Sequence, residues 1–236
     1  MTLTLPTDRA EIARMYLTGN GIEIGALHFP LPVPNGTSVR YVDRLTVPEL
    51  HQQYPELSSY MLTPVDSVDD GETLVTIGDT SQDFVIANHF LEHCEDPIGT
   101  LLTFFRVLKP GGILYMAIPD KRYTFDHERP VTTLQHLIDD HERGPEHSRE
   151  AHYREWVRIV DKASGIAGEE ALYKERTEKK FSIHFHVWTQ KEMLELLAYM
   201  QRIIAFDIEL SVENGHECIF ILRNNNPLLR YGQTKS

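Results

Sequence analysis

The chain has 236 residues, 41% of them hydrophobic and 25% charged, a composition typical of a globular protein with one substantial core. Its formal net charge of −12 disfavours nucleic acid as a substrate, because an acidic surface repels a polyanion. Two cysteines, a start without the apolar core of a signal peptide and no apolar run of membrane-spanning length predict a cytoplasmic protein with no membrane partner.

The first third of the chain predicts a helix and two strands. "DRAEIARMYL" has the spacing of a helix, and "GIEIGA" has the pattern of a short buried strand that ends at Gly25. The alternating prolines of "LHFPLPVPNG" exclude a regular helix there, and "SVRYVD" predicts a second strand that ends at Asp43. Thr46 and Glu49 have the spacing of a capping box, which predicts a helix ending near Pro55. Residues 62–80 are rich in turn formers.

The middle of the chain predicts a strand, a helix and a second strand. "DFVIAN" is a continuous apolar run, typical of a central parallel strand that is buried on both faces. Pro97 begins a segment with apolar residues at helical spacing, and "KPGG" ends it before the strand "ILYMAIPD". A strand, helix and strand in this order predict a right-handed crossover between parallel strands.

The last 50 residues predict a helix and a hairpin. Thr189 and Glu192 have the spacing of a second capping box at the start of the helix "QKEMLELLAYM". The strands "FDIELSV" and "CIFILRN" flank the turn "ENGHE", so we expect an antiparallel hairpin added to the parallel sheet.

Residues 121–187 form an insertion between the last parallel strand and that helix. The stretch is too long for a loop and carries three helical patterns, "TTLQHLIDD", "SREAHYREWVRIV" and "EEALYKER". It follows a strand whose carboxyl end faces the ligand crevice of an open sheet, so we predict a lid over that crevice. The alternative is a solvated helical ornament. The insertion holds seven of the twelve histidines: His127, His136, His141, His147, His152, His184 and His186.

The segment "NHFLEHCEDP" contains the H-x-x-E-H pattern of a class of zinc peptidases, with His89 and His93 four residues apart. That reading needs both histidines on a regular helix. His89 falls at the predicted end of a strand, however, and Pro97 begins the next helix only later. We therefore predict no metal site at this segment, and a zinc-dependent hydrolase that uses His89 and His93 is kept as an alternative.

The run from "DDGETL" to "QDFVIANHFLEHCEDPIGTLLTFFRVLKPGGILYMAIPD" resembles the class I S-adenosylmethionine-dependent methyltransferases of type 11. Residues 121–187 show a fainter likeness to bacterial enzymes that methylate sugars or polysaccharides. The resemblance implies an α/β, Rossmann-like fold with a seven-stranded, mostly parallel sheet, a C-terminal antiparallel hairpin and a helical lid insertion. It also implies S-adenosylmethionine as the cofactor, bound by one domain of residues 1–236 that includes the insertion.

The resemblance assigns cofactor-binding roles to eight residues. It places Glu23, Gly25 and Ala26 at the charged amino end of the cofactor, Asp43 at the ribose hydroxyls, Asp70 and Gly71 at the adenine, and Asn88 and His89 beside the methionine moiety. The chain departs from the family pattern in one place. The usual G-x-G-x-G is replaced by the five residues from Gly25 to Phe29, which lack the second and third glycines.

The acceptor is predicted to be a hydroxyl of a small molecule or glycan, because no N-P-P-[YF] motif follows the fourth strand and the acidic charge disfavours nucleic acid bases. A hydroxyl acceptor needs a base for its proton. In "SIHFHVW" His184 and His186 project to one side of an extended chain, so either is a candidate base, with Asp126 and His127 next. Alternatively, both histidines only tether the lid. A non-catalytic cofactor-binding partner protein is the remaining alternative.

Overall fold

The computed structural model describes residues 8–226, and its central element is a seven-stranded sheet in the order β3-β2-β1-β4-β5-β7-β6. Strands β1 to β5 run parallel, and β7 runs antiparallel to both β5 and β6. The ends of the predicted domain, residues 1–7 and 227–236, lie outside the described residues. The strands are β1 Asn20–Ile24, β2 Ser38–Asp43, β3 Ser67–Val68, β4 Gln82–Asn88, β5 Leu108–Pro119, β6 Phe206–Asn214 and β7 Glu217–Asn224.

Helices cover both faces of this sheet. They are α1 Arg9–Tyr16, α2 Val47–Gln53, α3 Pro97–Val107, α4 Leu134–Arg143, α5 Glu146–Ile159, α6 Gly165–Glu178 and α7 Gln190–Met200. Both predicted capping boxes are formed, at the starts of α2 and α7. The predicted fold class, a Rossmann-like sheet with a C-terminal antiparallel hairpin and an inserted helical segment, is confirmed. Within residues 8–226 no helix has the length and apolar character that a membrane span requires.

The core lies in two layers, because β4 and β5 bury side chains on both faces. On one face α1 packs Ile12 and Leu17 into a cluster that includes Phe84 of β4 and Tyr115 of β5. On the other face a larger cluster joins α3, α7 and the opposite side of the same strands: Val85, Ala87, Leu101, Phe104, Leu114, Met116, Leu196 and Leu197. The two layers fix the carboxyl edge of the sheet, where the loops after β1, β2, β3 and β4 meet.

The sequence patterns located most elements within a few residues, with two differences. The two-residue strand β3 lies inside the turn-rich stretch 62–80, where no periodic pattern marked it. Strand β5 begins at Leu108, before the glycine pair, because "LKPGG" already runs alongside its neighbours in the sheet. The helix before it still ends at Val107, as the breaker residues predict.

The insertion folds as α4, α5 and α6 followed by an extended segment, residues 181–188. It is attached to the rest of the chain by Leu137, which is buried in the larger core cluster, and by a bridge between Asp120 and Trp188. A third apolar cluster joins α5 to the extended segment through Trp156 and Phe185. Helix α6 buries none of its side chains. The description of residues 121–187 as a lid within a single domain stays a prediction.

Candidate active site

The loop after β1 is shaped by a glycine and by a buried carboxylate. Gly25 has a φ of +66° and Leu27 a φ of +48°, so a leucine adopts the left-handed conformation two residues after the glycine. Both carboxylate oxygens of Glu23 accept from the Leu31 backbone N–H, at 3.0 and 3.1 Å. These bonds hold the loop in place although it lacks the second and third glycines of the family pattern.

A cavity of about 490 Å³ lies at the carboxyl ends of β1, β2, β3 and β4. Five of the predicted cofactor residues line it: Gly25, Asp43, Asp70, Gly71 and His89. At Asp43 one oxygen accepts a 3.3 Å bond from the Leu45 N–H, and burial raises the pKa of the carboxyl above its ordinary value. An acceptor oxygen beside an open cavity is suited to a pair of ribose hydroxyls.

The turn after β3 is built around Asp69, which the sequence prediction did not single out. Its buried carboxylate accepts from the Asp70 N–H at 2.8 Å and from the N–H and hydroxyl of Thr76 at 2.7 and 2.6 Å. Asp70 in turn accepts from the Glu72 N–H at 2.9 Å. Asp69 thus fixes the turn, and Asp70 and Gly71 are the residues that it presents to the cavity.

A second cavity, of about 740 Å³, adjoins the first. The other three predicted cofactor residues, Glu23, Ala26 and Asn88, line this larger cavity. Both cavities are lined by Gly25, Leu27, His89 and His93, so the two spaces meet where the loops after β1 and β4 come together. The predicted cofactor residues therefore lie around these two adjoining cavities, which we call the smaller and the larger lobe.

Glu23 and Asn88 are two polar residues of the larger cavity whose surroundings favour a polar ligand. Burial raises the pKa of Glu23 to about 7, although the Leu31 N–H and Arg9 act in the opposite direction. Asn88 accepts from the Ala117 N–H through Oδ1 at 3.0 Å, whereas its Nδ2 is buried with no hydrogen-bond partner among the described residues. A buried amide donor without a partner, together with a buried carboxyl whose pKa is raised, favours a polar ligand in this lobe.

His89 lies between the two lobes and is oriented by Glu217. Its φ is +49°, and its Nε2 lies 2.7 Å from Glu217 Oε2. Glu217 is buried and also bonds the Arg9 guanidinium, whose Nε lies 2.7 Å from Oε1. Burial raises the pKa of Glu217, but the bonds from Arg9 and His89 outweigh it and lower the pKa to about 2. A ring proton on Nε2 that is donated to this carboxylate leaves Nδ1 as the acceptor nitrogen, and Nδ1 lies 3.6 Å from Glu92 Oε1.

Glu92 is a functional candidate that sequence reasoning missed. It is 1% exposed, and neither carboxylate oxygen has a hydrogen-bond partner among the described residues. Burial raises its pKa to about 7. A ligand atom of Glu92 lies within 4.8 Å of ligand atoms of His93 and His184. The signal in the sequence is an acidic residue in the turn "FLEHC", directly after the apolar Phe90 and Leu91.

The four predicted catalytic residues are placed differently from one another. His184 Nδ1 lies 2.7 Å from Asp126 Oδ2, and Asp126 also accepts from the buried Arg129 at 2.9 Å. His186 is fully buried, and burial lowers its pKa well below the ordinary value. The side chain of His127 is exposed. None of the four lines either lobe.

The two histidines of the H-x-x-E-H pattern are not brought to a common metal position. His89 falls in a group with His216 and Glu217, whereas His93 falls in a group with Glu92 and His184. His93 lies in a single 3₁₀ turn, Leu91–His93, and its Nδ1 lies 2.9 Å from the Ile183 carbonyl. A zinc site built on His89 and His93 together therefore has no support in the geometry of the described residues.

A protein-family model matches part of the chain. Residues 44–116 match the family model of a methyltransferase domain. The match covers less than half of the chain and includes α2, β3, β4, α3 and most of β5. It implies S-adenosylmethionine as the cofactor and supports S-adenosylmethionine-dependent methyl transfer. No curated protein is significantly similar to the sequence.

Solved structures share the fold at low sequence identity. A protein from Rhodobacter sphaeroides, described as a candidate zinc-dependent alcohol dehydrogenase, is 16% identical with a TM-score of 0.54, over 93% of this chain and 91% of that one. A possible histamine N-methyltransferase from Thermotoga maritima is 18% identical with a TM-score of 0.47, over 89% and 83%. The CurJ carbon methyltransferase is 15% identical with a TM-score of 0.47, over 91% of this chain but only 50% of that one.

Proposed function

We propose that this protein transfers the methyl group of S-adenosylmethionine to a hydroxyl of a small molecule or glycan. The observation that carries the proposal is the two-lobed cavity, whose lobes meet at Gly25, Leu27, His89 and His93. The smaller lobe has the groups expected for an adenosine, and the larger one has space beyond the methionine end. Methyl transfer needs the sulfonium and the acceptor oxygen in line, and a shared boundary between two lobes supplies that arrangement.

The cofactor is proposed to lie across the boundary. Asp43 accepts from the ribose hydroxyls and Asp70 and Gly71 border the adenine, while the methionine end passes Gly25 toward Glu23 and Asn88 in the larger lobe. A positive amino group near Glu23 favours its ionised form. Cofactor binding should therefore be tighter above pH 7 than below it, because Glu23 then has no proton to lose.

His89 is the base that the geometry favours for the acceptor proton. It lines both lobes, and Glu217 orients its ring as a carboxylate orients the histidine of a hydrolase triad. A bound S-adenosylmethionine would supply the activated methyl group to the acceptor oxygen and leave as S-adenosylhomocysteine, and Nδ1 of His89 would take the acceptor proton. The products are a methyl ether and S-adenosylhomocysteine.

The pair His184–Asp126 remains the second candidate base. Its 2.7 Å contact gives the ring an oriented carboxylate partner, as Glu217 does for His89. It lies behind His93, however, and lines neither lobe. Substitution distinguishes the two histidines, because only loss of the base should lower turnover strongly while cofactor affinity stays unchanged.

Calorimetry with S-adenosylhomocysteine tests the cofactor site. Asp43→Ala should weaken binding by about 1.5–3 kcal/mol through loss of a charged acceptor. Asp79→Ala is the matched control, because Asp79 is an exposed aspartate whose ion pair with Arg106 lies at the surface. If neither S-adenosylmethionine nor S-adenosylhomocysteine binds the intact protein, the proposal fails.

Mass spectrometry of small molecules and glycans incubated with the protein and isotopically labelled cofactor identifies the acceptor. A labelled methyl ether is the expected product, and label on nitrogen or carbon would contradict the hydroxyl assignment. Binding of cofactor without any labelled product would favour a non-catalytic partner protein. With the acceptor known, His89→Asn should lower turnover by about 10²–10⁴-fold, and asparagine tolerates the positive φ at this position. His184→Ala and Glu217→Gln are compared with it under the same conditions.

A further inference from the structure

Four side chains of the insertion converge away from both lobes. They are His136 and Asp140 of α4, His152 of α5 and His186 of the extended segment, and their ligand atoms all lie within 4.8 Å of one another. His136 Nε2 lies 3.0 Å from His152 Nε2 and 3.1 Å from Asp140 Oδ2. His186 Nε2 lies 3.7 Å from the same oxygen. Three segments of the insertion thus meet at one point.

These distances fit a tetrahedral metal ion. Zn²⁺ binds histidine nitrogen and carboxylate oxygen at about 2.0–2.2 Å, so neighbouring ligand atoms in a tetrahedral site lie about 3.3 Å apart. The separations of 3.0, 3.1 and 3.7 Å bracket that value, and the remaining pairs of ligand atoms lie within 4.8 Å of one another. Three imidazoles and one carboxylate are a donor set suited to zinc.

Asp140 gives an independent reason to expect a cation. Its side chain is fully buried, and Oδ2, the oxygen that faces the three histidines, has no hydrogen-bond partner among the described residues. The other oxygen, Oδ1, accepts from the Ser148 hydroxyl at 2.6 Å. A carboxylate that is fixed through one oxygen and open at the other matches a metal ligand oriented by an outer hydrogen bond.

We propose that His136, Asp140, His152 and His186 bind one Zn²⁺ or similar divalent ion, which links three segments of the insertion. Four protein ligands leave no open position, so the site is structural rather than catalytic. The ion joins α4 and α5 to the extended segment, in which His184 and Phe185 are neighbours of His186. The Phe185 and His186 N–H groups donate to the Glu92 carbonyl at 2.7 and 3.3 Å. Because Glu92 and His93 belong to the same turn, an ion that fixes His186 also stabilises the position of that turn.

A metal-free arrangement competes with this proposal. In it a protonated His136 pairs with Asp140 one helical turn away, and His186 Nε2 donates to the Glu95 carbonyl, 3.4 Å away. The 3.4 Å contact is long for a hydrogen bond, and the 3.1 Å contact of His136 lacks hydrogen-bond geometry at Asp140 Oδ2. The two arrangements differ in metal content, which is measured directly.

The test is metal analysis of the full chain, purified without chelator and then loaded with Zn²⁺ or Co²⁺. We expect about one ion per chain, the intense visible bands of tetrahedral Co²⁺, and X-ray absorption showing imidazole nitrogens at about 2.0–2.1 Å. Asp140→Ala and His152→Ala should abolish tight binding, and Ser148→Ala should weaken it by about 10–100-fold. His141→Ala is the matched control, because this α4 histidine bonds Asp96 outside the cluster.

Binding of S-adenosylhomocysteine and the circular dichroism spectrum show whether each variant is folded. If a ligand variant does not fold, the spectra of the wild-type protein and the affinity of Ser148→Ala still decide the matter. Folded wild-type protein with no bound zinc and no tetrahedral Co²⁺ bands overturns the proposal. So does an ion that is retained by Asp140→Ala and His152→Ala but lost in His93→Ala or His216→Ala, since those histidines belong to the other clusters.

Discussion

Gly71 borders the proposed adenine position, and the space that a side chain would need is already filled. A Cβ atom at Gly71 would lie 2.4 Å from Phe90 Cζ and 2.7 Å from Ile24 Cγ2. Both neighbours belong to the wall of the smaller lobe. The residue must therefore be a glycine for reasons of packing, independently of its backbone conformation.

We predict that Gly71→Ala weakens the binding of S-adenosylhomocysteine by about 10–100-fold, because Phe90 must move into the lobe or away from Ile24. Calorimetry on the folded variant measures the effect. Gly78→Ala is the control, since a Cβ at Gly78 meets its nearest atoms only at 4.0 Å. Equal affinities of the two variants would show that the smaller lobe does not hold the adenosine.

Glu92 is expected to reduce stability at neutral pH. Burial raises its pKa from 4.5 to about 7 in the folded chain, so between those values the folded state binds more protons than the unfolded state. The free energy of unfolding should consequently fall as the pH rises from about 4.5 to 7 and then level off. Glu23 and Glu72, whose pKa values burial also raises to about 7, contribute with the same sign.

We predict that Glu92→Gln has a shallower dependence on pH and is more stable than the wild-type protein at about pH 8, by about 1–3 kcal/mol. At about pH 5 the two should be nearly equal, because Glu92 is then protonated. Urea unfolding at the two pH values measures the difference, with the exposed Glu142→Gln as the control. A stability gap that is the same at both pH values would mean that Glu92 does not carry the shifted pKa.

At the scale of elements, one partly buried ion pair ties α1 to β7 across the edge of the larger lobe. Arg9 is the first residue of α1, and Glu217 is the first residue of β7 and is 2% exposed. The Asn214 amide adds a 2.9 Å bond to Glu217 Oε1. The same carboxylate orients His89, so the position of α1 and the proposed chemistry depend on one group.

Arg9→Ala should destabilise the fold by about 2–3 kcal/mol, because it leaves a buried carboxylate without its cation. Arg14→Ala, an exposed arginine on the same helix, should stay within about 0.5 kcal/mol of the wild-type protein. The double variant Arg9→Met with Glu217→Gln should regain part of the loss, since no buried charge then remains. Denaturant unfolding of these variants measures the coupling, and a double variant with the summed cost of both changes would contradict it.

At the scale of the whole molecule, the insertion has two unequal parts. Helices α4 and α5 and the extended segment pack against one another and reach the main core through Leu137, and Ser182 lines the smaller lobe. Helix α6 buries no side chain and lies at the outside. Residues of the insertion also line a third cavity of about 380 Å³, which shares Arg44, Glu72, His93 and Ser182 with the smaller lobe.

Replacing residues 121–187 by a Gly/Ser linker should abolish methyl transfer while S-adenosylhomocysteine still binds, because the predicted cofactor residues all lie outside the insertion. Replacing only Gly165–Glu178 should leave both properties unchanged, since that helix adds no buried side chain. Transfer is followed with labelled cofactor and binding by calorimetry, after circular dichroism has shown that each variant is folded. Undiminished turnover by the larger deletion would show that the insertion is an ornament.

The sequence by itself determined the elements, because they depend on local patterns, and its resemblance to class I methyltransferases implied the fold class. The apolar run of β4, the capping boxes of α2 and α7 and the terminal hairpin are each specified within about a dozen residues. The likeness to methyltransferases added the strand ends at which a cofactor binds. Among the strands of residues 8–226, only β3 was not predicted, since a two-residue strand has no periodic pattern to detect.

The tertiary structure alone decided which distant side chains meet. Glu217 reaches His89 across 128 residues of sequence because β7 pairs with β5, which in turn pairs with β4. His184 meets Asp126, and His186 faces α4 and α5, because the extended segment packs against the insertion helices. Sequence patterns specify which face of an element is buried but not which element covers it. The partners of a histidine therefore follow from sheet order and packing rather than from local spacing.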